Sequence, residues 1–147
     1  VSHVRKQIRA YFETQLTGLS SIGSNIFESR IYPLVQAKLP ALIVYTSSED
    51  VEEISFSSSV SQERKLTVTV EGYVRALANF DDSLDQIAVE VEEAILDDRT
   101  LGGLAKDCQL TSISTQFSGE GEQPVGTIVL SFEVTYRTQS GQPETAI

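Results

Sequence analysis

The stretch GTIVLSFEVTYR, residues 126–137, alternates without interruption: Ile128, Leu130, Phe132, Val134 and Tyr136 share one parity, and Thr127, Val129, Ser131, Glu133 and Thr135 the other. Side chains on an extended chain point to opposite faces in turn, so this pattern predicts a strand with one apolar and one mostly polar face. A sheet covered on one side only, typically antiparallel, has this signature.

Working outward, KLTVTVEGYVRAL at 65–77 repeats the pattern, with Leu66, Val68, Val70 and Val74 opposite Thr67, Thr69, Glu71, Tyr73 and Arg75. VEEISFSSSV at 51–60 alternates Ile54, Phe56 and Val60 with polar residues, and a short join around 61–64 predicts a hairpin between the two. ALIVYT at 41–46 is apolar on both sides, as for an interior strand or one covered by another subunit. TSISTQF at 111–117 is a further strand candidate after the break at Gly102 and Gly103. The tail QSGQPETAI, from about 139, lacks a core pattern and is expected to be mobile or ordered by a partner.

Two segments have helical spacing instead. FDDSLDQIAVEVEEAILDD at 80–98 places Leu84, Ile87, Ala88, Val91 and Ile95 on one stripe. Asp81 or Asp82 is the expected cap, and Phe80 the expected staple. SHVRKQIRAYFETQLTGL at 2–19 aligns Val4, Ile8, Tyr11 or Phe12, and Leu16, with Ser2 as a candidate cap and Gly18 as its end. Pro33 and Pro40 rule out a long element between that helix and ALIVYT. The sum is an α+β fold, one mixed, mainly antiparallel sheet packed by two helices, forming a single domain over residues 1–147.

Charge narrows the function classes. Eleven basic residues face 21 acidic ones, a formal net charge of −10, which argues against general binding to nucleic acid or anionic membranes. No apolar run approaches the ~20 residues that cross a bilayer, and the first residues lack the form of a targeting segment, so a soluble protein is expected. Arg5, Lys6 and Arg9 crowd the first helix, either solvated or facing a partner. Glu90, Glu93 and Asp97 repel one another at spacings of three and four on the second, which favours a basic neighbour.

No reaction centre is legible. Neither GEGEQPVG nor TLGGLAK has the lysine and hydroxyl order of a phosphate loop. His3, the one histidine, is expected to be exposed at a helix start, and Cys108, the one cysteine, to be a small core residue. Asp81, Asp82 and Asp85 lack the spacing of a calcium loop and fit the positive end of a helix. No catalytic residue, metal site or cofactor is expected.

The pieces RIYP with LPALIVY, VEGY, and GEGEQPVG followed by SFEVTYRT resemble the tail-terminator, or tail-completion, proteins of long-tailed bacteriophages and related prophages, over roughly Ile8 to Thr138. The resemblance implies a homo-oligomeric ring, commonly hexameric, at the head-proximal end of the tail tube in the virion, assembled in the host cytoplasm. Such a ring stops tube growth and joins the head, with the tail-tube protein and a neck or head-completion protein as partners. Genome DNA would pass through it without specific binding, and no membrane is involved. On this reading Arg5, Lys6 and Arg9 of one subunit face Glu90, Glu93 and Asp97 of the next. Gly119, Glu120, Gly121 and Glu122 form a projecting acidic tip, turned by those glycines and Gly126, that touches tube, neck or neighbour. The competing reading is a non-viral adaptor module that uses the same exposed sheet to bind another protein.

Overall fold

The computed structural model describes residues 2–23, 25–27, 39–55, 60–75, 79–118 and 124–147. The alternating stretch lies in β5 (Val125–Gln139), the strand on which the sheet is built. Along one edge of β5 runs β3 (Ser61–Arg75), antiparallel and in unbroken register from Ser61↔Gln139 to Arg75↔Val125. Every core-facing side chain of one strand therefore sits beside one of the other, Val68 by Phe132 and Val70 by Leu130.

β2 (Ala41–Glu53) pairs antiparallel with the outer edge of β3, and the two-residue β1 (Ile26–Phe27) lies parallel to β2 against Leu42 and Ile43. On the other edge of β5, β4 (Asp107–Ser118) covers Val125 to Thr135. The order is β1-β2-β3-β5-β4, mixed and mainly antiparallel as expected. The first residues of the expected strand 51–60 continue the expected strand 41–46: β2 runs through the polar TSSED to Glu53. Ile54 and Ser55 lie beyond it, 56–59 fall outside the described residues, and residues 61–64, expected to turn, belong to β3. A polar run does not end a strand when its backbone partners lie on a long neighbour.

The chain's end departs from expectation too. Residues Gln142–Ala146 form β6 on the edge of β5 that β4 leaves uncovered, with Thr138↔Ala146 paired and the Ile147 amide donating to the Arg137 carbonyl at 2.9 Å. The Gln7 amide donates to the Glu144 carbonyl at 3.0 Å and so ties this strand to the first helix. Order here comes from the chain itself rather than from a partner.

Both described α-helices cover the face bearing Leu66, Val68, Val70, Ile128, Leu130, Phe132 and Val134. α1 (Val4–Leu16) buries Val4, Ile8, Phe12 and Leu16, and Phe12 meets Phe132 edge to face with centroids 5.4 Å apart. α2 (Phe80–Leu96) buries Leu84, Ile87, Ala88, Val91 and Ile95. The α1 cap is His3 rather than Ser2: its Nδ1 accepts the Arg5 amide N–H at 3.0 Å.

The cap residue of α2 is Asn79, at φ 70° with no side-chain cap bond, so Asp81 and Asp82 act through their charge in the first turn instead of capping. Phe80 packs on Phe117 of β4, with centroids 5.3 Å apart. Gly126, expected to help a loop turn, is a buried strand residue instead. A Cβ there would lie 2.6 Å from Phe80 Cδ2, so the missing side chain lets α2 approach the sheet. Gly72 does the same one strand over, where a Cβ would meet Ile128, Ile87 and Leu42 at 3.0–3.3 Å.

Candidate functional site

The bulge in β2 between Thr46 and Ser48 shifts the strand by one residue and turns Glu49 onto the helix-covered face, opposite Leu66. There the Glu49 carboxylate accepts from the Tyr136 hydroxyl, from Arg64 Nη1 at 3.1 Å and from Arg5 Nη1 at 3.4 Å. Arg64 also donates to Thr138 Oγ1 at 3.2 Å and Gln62 Oε1 at 3.1 Å. With side chains only 6% and 12% exposed, Glu49 and Arg64 form a nearly buried ion pair. Such a pair is costly to desolvate and tolerable only with its remaining hydrogen bonds made. Burial and the bond to Glu49 push the Tyr136 hydroxyl pKa upward, keeping it a proton donor.

His3 closes this cluster from above, its Nε2 3.5 Å from Arg64 Nη1. Its pKa is held below the ordinary 6.5, first by burial and then by Arg5, with Arg64 adding to the effect and Glu49 and Glu144 opposing it. A neutral ring is what the cap requires, since only an unprotonated Nδ1 accepts the Arg5 amide. His3 is thus half-buried and structural rather than exposed. The cluster's bonds join elements of this chain to one another. They lock the start of α1 onto β2, β3 and β5.

On the reverse face Glu71 accepts from two tyrosines, from Tyr45 at 2.6 Å through one oxygen and from Tyr73 through the other. Burial and the Glu71 bond raise the Tyr73 pKa. The two rings are held in fixed positions on a face that no described helix covers, and tyrosine is enriched where proteins meet.

The six residues expected to join subunits do not share one state. Arg5 is engaged by Glu49, and Arg9 donates to Thr46 Oγ1 at 3.2 Å. Glu90 is taken by Ser21, whose backbone N–H lies 2.9 Å away and whose hydroxyl also donates to it. Burial alone pushes the Glu90 pKa up, but the bonds from Ser21, with those from Gln86 and Ser20, outweigh it and hold the carboxyl below its ordinary range. Lys6, Glu93 and Asp97 are exposed. Gly119, Glu120, Gly121 and Glu122 lie outside the described residues.

Other sequence candidates have structural roles. Cys108 is fully buried, and burial pushes its thiol up to about 12, far from a thiolate nucleophile. Asp98 accepts from the Thr100 N–H and hydroxyl and from the Gly102 N–H, building the turn that leaves α2. Arg99 grips Asp107 through two bonds of 2.8 and 3.0 Å at the start of β4. Among the described residues no group of three His, Cys, Asp or Glu is placed to hold a metal, and no helix is long and apolar enough to cross a membrane.

A two-layer α+β unit whose polar clusters fasten its own elements, and whose β4 pairs with no further described strand on its outer side, has the make-up of a structural building block. The chain belongs to the family described as Phage minor tail protein U, whose model matches residues 2–136. It is a structural, non-catalytic protein associated with the phage tail and with virion assembly. A chain of the solved structure described as "Virion of native gene transfer agent (GTA) particle" is 14% identical, with 86% of this chain and 93% of that one covered and a TM-score of 0.49. Among curated proteins none matches the chain.

Proposed function

We propose that copies of this chain close a ring, hexameric by resemblance to tail terminators, on the head-proximal end of the tail tube, where the ring stops tube growth and offers the surface that joins the head. Membership of a phage minor tail family over residues 2–136 carries this reading. The two tyrosines held by Glu71 on the reverse face support it, since a subunit that meets neighbours, tube and neck needs several surfaces at once. Of the charged contacts, the exposed Lys6, Glu93 and Asp97 are the ones left to align neighbours, because Arg5, Arg9 and Glu90 already have partners in their own chain. Glu120 and Glu122 are proposed to touch tube, neck or neighbour. The net charge of −10 favours passage of DNA without adhesion.

The test is electron microscopy of purified protein mixed with tail tubes. Rings capping tube ends, with tube length no longer increasing, are expected. Binding along the shaft, or particles that ignore the tubes, would overturn the reading. In the same assay Glu120→Gln with Glu122→Gln is expected to leave rings on the tubes but to lower the yield of head-joined particles.

A further inference from the structure

The two outer edges of the sheet are protected unequally. Beyond β1, the outer edge of β2 carries Asp50, Glu52 and Glu53, all exposed, and charge of this kind keeps foreign strands away. β4 lacks that protection. From Cys108 to Ser118 it has no charged side chain, and no described strand pairs with its outer side. Residues 111–117 are exposed throughout, with Ile113 at 44% and Phe117 at 58%. Its one defence is the bulge between Leu110 and Ser112.

The flank of α2 beside this edge has a definite character. Asp85, Val89, Glu92 and Leu96 follow one another at spacings of four, three and four and so form one stripe. That stripe runs along β4, because Leu96 and Glu92 line a groove of about 300 Å³ with Cys108, Gln109, Leu110 and Arg99, whose charge is taken up by Asp107, while Phe80 at the other end of α2 packs on Phe117. Val89 is 46% exposed, which gives this flank of α2 apolar surface with a carboxylate to either side along the helix.

We infer that the outer edge of β4 accepts an extended, basic segment of another protein, which adds to the sheet as a further strand. Backbone groups supply the pairing, Ile113, Phe117 and Val89 receive its apolar side chains, and Asp85 and Glu92 select its positive charge. The occupant is not a second copy paired through the same edge, for that would bring two such acidic flanks together. Nor is it a neighbour's β2 edge, which carries its own acidic row. This site stands apart from the ring contacts proposed above, so either can fail alone.

The experiment uses the whole chain and three synthetic nonapeptides: one alternating lysine and valine, the same with glutamate for lysine, and the lysine peptide with every second backbone amide N-methylated. Fluorescence anisotropy and amide hydrogen exchange are read together. The lysine peptide is expected to bind and to slow exchange within 111–117. At least tenfold weakening is expected for the glutamate and N-methylated peptides, for the Asp85→Asn, Glu92→Gln double variant and for Ile113→Lys. Circular dichroism confirms that both variants fold. Equal binding of the three peptides, protection of β2 in place of β4, or no binding would overturn the proposal. So would protection of 111–117 that rises with protein concentration alone, which would assign the edge to a second copy.

Discussion

Arg64 shows how much one buried side chain fixes. Its guanidinium is bonded to Glu49, Thr138 and Gln62, so Arg64→Leu leaves the Glu49 carboxylate nearly buried without its main counter-charge. A loss of about 3–5 kcal/mol is expected in denaturant unfolding. Arg5 touches the same carboxylate from a position 42% exposed, and Arg5→Ala should cost only about 0–1 kcal/mol. Equal losses would contradict the ranking. His3 gives a pH signature. Its folded pKa lies below 6.5, so the unfolded chain takes up the proton first, and the stability that the neutral cap contributes is complete above pH 6.5 and fades as pH falls towards the folded value. His3→Asn keeps a good cap that does not titrate. Its melting temperature should therefore decline less than the parent's between pH 7 and 5, and parallel curves would remove His3 as the cause.

At the scale of elements, the closeness of α2 to the sheet depends on two absent side chains. Gly126→Ala would drive a methyl into Phe80, with a cost of about 1–3 kcal/mol. Combined with Phe80→Ala, which opens that space, the two changes should cost less than the sum of the singles, and strict additivity would show that the close approach does not matter. Both helices and the strands β3 and β5 were legible because their buried residues keep the period of their element, as Ile128 to Tyr136 do. The merging of β2 was not, since TSSED has no apolar rhythm and its place comes from pairing with Lys65 to Val68. The Glu49 cluster left half a trace. Leu66, Val68 and Val70 share a parity with Arg64, so a charged residue on the apolar face was visible and required a partner. The bulge that turns Glu49 towards it leaves no mark in the sequence. Gly126 misled for the opposite reason: glycine suggests a turn, and here its value is the absence of a side chain.

Across the described residues, four arginines are occupied by carboxylates of the same chain while much of the acid stays exposed. Arg5, Arg64, Arg99 and Arg137 each pair with a carboxylate of the same chain. Copies with net charge −10 repel at long range, so their contact must come from apolar or hydrogen-bonding surface with few opposite charges to orient it. If Lys6 meets Glu93 and Asp97 of a neighbour, Lys6→Glu should shift ring assembly to higher protein concentration. Adding Glu93→Lys and Asp97→Lys should restore it, as read by mass across a dilution series. Independent effects of the two sets would reject that contact.

The ladder between β3 and β5 also governs how such a subunit carries mechanical load. A slip of β5 by one residue would turn Leu130 and Phe132 outward while Val68 and Val70 stayed inward, so there is no gradual way for the strands to slide. Tension along them is shared by the whole row of backbone bonds from Ser61 to Arg75, whereas tension across them opens the row one bond at a time. The fold is therefore stiff in one direction and able to unzip in the other.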